Sequence, residues 1–190
     1  EISIAKRLIE VAAEAKADYV KFQTAKVAKS VSKYAPKAEY QKVNTGKEDE
    51  SMLEMVKKFE LDKAFHVELI NHSKKCGIKF LSSPFDVDSV DLLYELGIEL
   101  FKIPSGEITN LPYLKKVASL NLPIIFSTGM ADMKDIEATL DVLTKNGASK
   151  NNITILHCNT EYPTPMRDVN LKAMLTIKEI FGVKVGYSDH

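Results

Sequence analysis

Cysteine is scarce in this chain of 190 residues, where Cys76 and Cys158 are the two present. Two isolated thiols build no disulfide framework and suit a reducing compartment. With nothing else thiol-like in the sequence they make a poor metal pair, and they read as small, half-buried side chains. Net charge is absent as well, because 26 basic and 26 acidic residues cancel. That balance removes any reason to expect nucleic acid or an anionic membrane surface as a partner. No apolar run approaches the roughly 20 residues of a membrane span. The opening stretch, EISIAKRLIEVAAEAKAD, mixes charged with apolar positions and lacks the apolar centre of a signal peptide. A cytoplasmic globular protein is expected, and a 45% apolar content is enough for a core. Internal repeats and low-complexity tracts are missing. So is a Gly-x-Ser-x-Gly elbow, which counts against a serine nucleophile. A glycine-rich turn after the first strand is missing too, which counts against an open dinucleotide-binding sheet.

What is there is a recurrence. YVKFQT (19–24), KFLSSPFD (79–86), LFKIPSGE (100–107), PIIFSTGM (123–130), ITILHCNTEYP (153–163) and VKVGYSDH (183–190) each run from a short apolar stretch into small polar or charged residues. Each apolar part reads as a buried strand and each polar end as a site wall. Helical patterns lie over 2–17, 62–76, 87–96, 111–120, 132–146 and 169–181, several of them stopped by glycine, as at Gly77, Gly97, Gly147 and Gly182. Asp62 is placed to cap its helix. Strands alternating with helices are the grammar of a parallel sheet. Functional groups at every strand end point to a parallel (β/α)8 TIM barrel with its site on the C-terminal face. About six strands are present where the barrel needs eight. The expectation is therefore one partial barrel domain over 1–190, lacking the first strand and the closing portion. Residues 25–50 show no periodicity and read as a long lid or substrate loop, followed by a helix over 50–59.

Several residues carry chemistry. Lys21 and Gln23 alternate with Val20 and Phe22, so they share one face of a strand. A lysine facing a barrel mouth is costly unless it meets an anion, although its stem also lets it snorkel. Lys102 repeats the situation in FKIPSGE. Ser82, Ser83, Ser105, Ser127, Thr128 and Ser188 follow strands, where hydroxyls and free backbone N–H groups suit phosphate oxygens. One such serine is ordinary turn chemistry; a ring of them beside two lysines is an anion site. Glu107 reads as a general base, a substrate acceptor or the first-turn acid of the next helix. His66 and His72 fall in a helix with no facing carboxylate pattern and read as structural or exposed. His157 ends a strand with the barrel mouth in reach. His190, beside Asp189, is a candidate metal ligand or acid–base group that makes no metal site alone.

The strings VKFQT, FLSSPFD, FKIPSGEITN, STGM, HCNTEYPTP and GYSDH, in this order over nearly the whole chain, resemble the sialic acid synthase family, N-acetylneuraminate synthase with its legionaminic and pseudaminic acid relatives. The resemblance implies a β/α barrel followed by a small antifreeze-like domain. It also implies condensation of phosphoenolpyruvate with an N-acetylated amino sugar such as N-acetylmannosamine, dependent on manganese or magnesium. Lys21, Ser83, Lys102, Ser105, Ser127 and Ser188 match positions that hold phosphoenolpyruvate. Gln23 and Tyr162 match sugar-contacting positions, Glu107 the acid near the reacting carbons, and His190 one of two metal-binding histidines. Thr160 stands where some members carry an asparagine that helps bind phosphate.

The expected departures are the first strand with its loop, the second metal histidine, the last strand and the antifreeze-like domain. In the family that domain covers the partner subunit's site in a homodimer. The 190 residues alone are therefore expected to be inactive. Two other readings stand beside the synthase: a Schiff-base pyruvate aldolase using Lys102, and a non-catalytic sugar- or phosphate-binding barrel fragment.

Overall fold

The computed structural model describes residues 2–47 and 49–190. Glu48, in the stretch read as a long loop, lies outside the described residues. The chain divides into two compact units, 1–80 and 81–190.

In the first unit, α1 (Ile2–Glu14) leads to β1 (Tyr19–Thr24), and α5 (Lys63–Lys75) leads to β2 (Lys79–Pro84), which runs on into the second unit. β1 and β2 form a two-stranded sheet. Ile9, Val20, Leu69 and Ile78 are buried together, with Phe22 and Phe80 stacked at 5.6 Å beside them. Val20 and Phe22 thus take the core face of β1, and Lys21 and Gln23 take the exposed one. Asp62 caps α5 as its position predicts, accepting from the Phe65 N–H at 2.7 Å.

The segment between β1 and α4 (Met52–Lys57) departs from the expected loop. It contains α2 (Val27–Ser30) and α3 (Glu39–Thr45). Its organiser is Lys37, whose ammonium donates to Thr45 Oγ1 at 2.9 Å and to the Lys47 carbonyl, and pairs with Glu50 at 3.3 Å. Neither helix shows an apolar stripe, and among the described residues Val27 of α2 is the apolar side chain they bury.

In the second unit, α6 (Val87–Glu95), β3 (Phe101–Ile103), α7 (Leu111–Ser119), β4 (Ile124–Ser127), α8 (Met133–Lys145), β5 (Ile153–His157), α9 (Ala173–Phe181) and β6 (Lys184–Tyr187) alternate as expected. Strands β3 to β6 form one sheet in sequence order with every pairing parallel. The strand order is that of an α/β fold, recorded as two sheets where one run of strands was expected. Both β2 and β3 run into a proline, Pro84 or Pro104, which has no N–H to extend a ladder. Helix α9 starts later than the pattern suggested, at Ala173 and not 169, because Asn170 takes a left-handed φ of +42° and a turn fills 171–172.

Alternation divides the sheet. Phe101, Ile103, Ile124, Phe126, Ile153 and Ile155 pack with Leu93, Leu114, Val117, Leu143 and Ile177 of the helices into one core. Each such large apolar side chain, fully buried, contributes roughly 1.5–3 kcal/mol. The opposite parity holds Lys102, Ile125, Ser127, Thr154, Leu156 and Gly186. Helices α6, α7 and α8 are capped by side chains at their starts, and in α8 Asp132 accepts from Lys134 N at 2.7 Å and Asp135 N at 3.0 Å. Asp132→Ala is expected to cost about 1 kcal/mol, read as a shift in the urea midpoint at unchanged slope. An unchanged midpoint would remove the cap from the account of α8.

Candidate functional site

The second unit gathers polar groups at the C-terminal ends of its strands. Lys102 lies mid-strand with only 8% of its surface exposed, and its ammonium donates to the Ile103 carbonyl at 2.8 Å. Ser127 ends β4 on the same face and is buried. Ser188 continues that face after β6, its N–H donating to the His157 carbonyl at 2.9 Å. Likewise the Thr128 N–H donates to the Leu156 carbonyl at 3.0 Å. The polar turns therefore continue the strand ladder, and β5 holds its neighbours on both sides.

Ser83 is buried near the end of β2, and the next residue, Pro84, offers its carbonyl to the Tyr113 hydroxyl of α7 at 2.9 Å. Burial pushes the Tyr113 phenol well above its ordinary value, with the Glu107 carboxylate adding to the effect. Tyr113 therefore stays neutral and acts as a donor.

Ser105 starts a short turn after β3 that includes Glu107. Ser105 is half-buried, and Thr160, in the segment after β5, is exposed. Both crowd Gly129 of the turn after β4: a methyl group built on Gly129 would lie 2.6 Å from Ser105 Cβ and Oγ and 3.3 Å from Thr160 Cγ2. Three successive strand ends thus meet around one glycine. The Gly129 N–H also points at Cys158 Sγ, 3.3 Å away, on β5's own extension. Cys158 is buried and Cys76 half-buried, as small side chains.

Glu107 is engaged. Its Oε2 accepts from the Asn110 side-chain amide at 2.7 Å, and Asn110 caps α7 through the Tyr113 N–H at 3.4 Å. Glu107 thus lies three residues ahead of the α7 cap, in its own short turn, and is not an acid of that helix's first turn.

Tyr162 and His190 stack with ring centroids 4.0 Å apart and planes 19° from parallel. His190 Nε2 lies 3.2 Å from the Tyr162 hydroxyl and 3.3 Å from Ser188 Oγ. The His190 carbonyl accepts from the Thr164 N–H at 2.8 Å, tying the segment after β5 to the end of β6. His190 Nδ1 is buried with no hydrogen-bond partner among the described residues. No group of three His, Cys, Asp or Glu side chains able to hold a metal ion occurs among the described residues. The described residues do not make up a divalent-metal site of their own.

His157 does not face this cluster. Its parity is that of the core, its ring lies 5.8 Å from that of Tyr187, and its Nε2 meets the Val169 carbonyl at 2.8 Å. In the first unit, Lys21 and Gln23 are both exposed. The protein around Lys21 still lowers its pKa below the usual lysine value, through desolvation. His72, expected to lack a facing carboxylate, has Glu10 of α1 at 3.1 Å.

A family model described as the NeuB family matches residues 8–190. This chain belongs to the NeuB family. It is 60% identical over its whole length to the N,N'-diacetyllegionaminic acid synthase of Campylobacter jejuni, covering 57% of that protein. It is 44% identical to the enzyme of the same name from Legionella pneumophila, of which it covers 54%. The crystal structure of an N-acetylneuraminic acid synthetase from Leptospira borgpetersenii matches all of the chain and 60% of its own length, with a TM-score of 0.84 at 33% identity. The NeuB-family chain thus spans a little over half the length of these relatives. The resemblance to sialic acid synthases read from VKFQT through GYSDH holds. Sequence reading missed Gly129 and Cys158 as parts of the cluster. A glycine following a strand was the available signal, but its close approach to Ser105 depends on tertiary structure.

Proposed function

We propose that the whole protein condenses phosphoenolpyruvate with an N-acetylated six-carbon amino sugar to give a nine-carbon 2-keto acid and phosphate. The 60% identity to a diacetyllegionaminic acid synthase favours a sugar carrying two acetamido groups over N-acetylmannosamine. The observation that carries the reading is the buried Lys102 on one strand face with Ser127 and Ser188. A buried ammonium beside hydroxyls is the chemistry of an anion site.

In the proposed reaction the methylene carbon of phosphoenolpyruvate attacks the sugar aldehyde, forming the new C–C bond. Water adds to the carbon left electron-poor, and the C–O bond to phosphate breaks. Lys21 and Lys102 offset the charge of phosphate and carboxylate, and Ser83, Ser105, Ser127, Thr160 and Ser188 donate to their oxygens from fixed positions. Gln23 and Tyr162 contact the sugar. Glu107, with one oxygen held by Asn110, orients the aldehyde or water with the other. Manganese or magnesium would be held by His190 as one ligand, with the other donors coming from substrate or from outside the described residues, and would supply Lewis acidity toward the sugar aldehyde. The parallel strands are read as part of a (β/α)8 barrel, and the whole protein as a cytoplasmic homodimer. No helix among the described residues is long and apolar enough to cross a membrane.

The test is phosphate release by the whole protein from phosphoenolpyruvate with each sugar, with and without manganese, and mass analysis of the acid formed. Release with the diacetamido sugar at higher kcat/KM than with N-acetylmannosamine is expected. No release with either sugar would sink the synthase reading. A borohydride-stable adduct of pyruvate on Lys102 would replace it with the aldolase.

A further inference from the structure

We propose that Gly129 is a positioning residue, whose missing side chain lets the turn after β4 close on Ser105 and hold the Ser105 hydroxyl against an anionic oxygen of phosphoenolpyruvate. This rests on the reading of Ser105 as a phosphoenolpyruvate contact.

Three observations meet at this residue. Its φ of +54° is a left-handed conformation that glycine adopts without strain. A methyl group there would lie 2.6 Å from both Ser105 Cβ and Ser105 Oγ, a separation that real Cβ atoms do not show. The crowded atom is Ser105 Cβ, one bond from the backbone, so no rotamer change relieves it and the serine itself must move. The third observation is the Gly129 N–H held by Cys158 Sγ at 3.3 Å, which fixes the glycine from β5. The side that gives is therefore Ser105, at the start of its three-residue turn. A displacement of about 1 Å in a binding group is enough to cost about 100-fold.

Gly182 separates crowding from backbone strain. It ends α9 with a φ of +59°, nearly that of Gly129, and a methyl group there meets nothing within 4 Å. Gly182→Ala therefore carries the conformational strain without the collision.

The experiment compares Gly129→Ala, Gly182→Ala, Ser105→Gly and the Ser105→Gly/Gly129→Ala double variant in the whole protein. Each is measured by phosphate release over a range of phosphoenolpyruvate concentrations, alongside its melting temperature. Gly129→Ala is expected to raise KM for phosphoenolpyruvate about 10- to 100-fold with little change in kcat. Gly182→Ala is expected to lower the melting temperature and leave KM alone. Ser105→Gly is expected to raise KM by itself, and adding Gly129→Ala to it to change KM little further, since the two Ser105 atoms at 2.6 Å are gone and the remaining neighbour, Thr160 Cγ2, stands at 3.3 Å.

A Gly129→Ala enzyme with the KM of the wild type would overturn the proposal. So would a KM effect that persists in full in the Ser105→Gly background. Wild-type turnover with Ser105→Gly leaving KM unchanged would overturn it while the synthase reading stands. Absence of phosphate release from the wild type would overturn the synthase reading, and with it the ligand assigned to Ser105.

Discussion

Lys102→Met is expected to lower kcat/KM for phosphoenolpyruvate by about 100- to 1,000-fold while leaving the protein as stable as before, or more so. The two halves of that expectation come from the same fact, burial. Lys102 is 8% exposed and its ammonium meets the Ile103 carbonyl at 2.8 Å. A charge taken out of water is costly to the folded state, and replacing it by an apolar chain of similar length removes that cost. The same low-dielectric setting makes the charge strong toward an anion that reaches it, and loss of one preorganised group of this kind costs about 10²–10³ in rate. Steady-state phosphate release and a thermal melt on one preparation measure both halves. A variant that loses activity and also melts far below the wild type would mean that Lys102 is structural. One that keeps its activity would remove Lys102 from the anion site.

The second large effect is in the first unit. His66 is fully buried between the end of β1 and the start of α5, with Nε2 2.7 Å from Thr24 Oγ1 and Nδ1 2.7 Å from the Asp62 carbonyl. A carbonyl only accepts, so Nδ1 carries the proton and Nε2 accepts from the Thr24 hydroxyl. The imidazole is neutral. Burial lowers its pKa below the ordinary histidine value, nearby Lys26 adds slightly, and Asp62 opposes both. His66→Leu keeps much of the volume but removes the Thr24 hydroxyl's acceptor and one of the two donors to the Asp62 carbonyl, which keeps the backbone N–H of residue 66 at 3.1 Å, and is expected to destabilise by about 1–3 kcal/mol.

The pH dependence follows from the direction of the shift. The unfolded chain takes up a proton near pH 6.5 while folded His66 resists it until lower pH. The contribution to stability is therefore complete above about pH 6.5 and is lost as pH falls toward the folded pKa. Urea denaturation at pH 7.5 and 5.5 is expected to show the wild type losing more stability than His66→Leu over that interval. Equal losses would mean that His66 is not the proton acceptor.

The elements that were legible in the sequence were those built from local patterns. Runs such as IIFS and ITILH, separated by amphipathic stretches and glycine stops, became β4, β5 and their helices because period and punctuation agree there. The helices inside 25–50 were not legible, since α2 is four residues long and the end of α3 is held by one lysine that also reaches a carbonyl ten residues away. The partner of His72 leaves no pattern within its own helix, because Glu10 comes from α1, 62 residues away in sequence. His157 was placed near the mouth because it ends a strand, yet strand parity turns it to the core side with Tyr187. The polar residues of the cluster were legible as types at strand ends. Their arrangement around Gly129 was not, because a close approach between two turns leaves no periodic trace.

Alternation along β3 to β6 sends odd and even positions to different tasks. Phe101, Ile103, Phe126 and Ile155 are in the helix-facing core, while Lys102, Ser127 and Ser188 stand on the other parity. Drift in ligand preference and drift in folding robustness can therefore accumulate on separate residues of the same strand. A lineage, or a designer, changing one set draws little on the reserve held by the other.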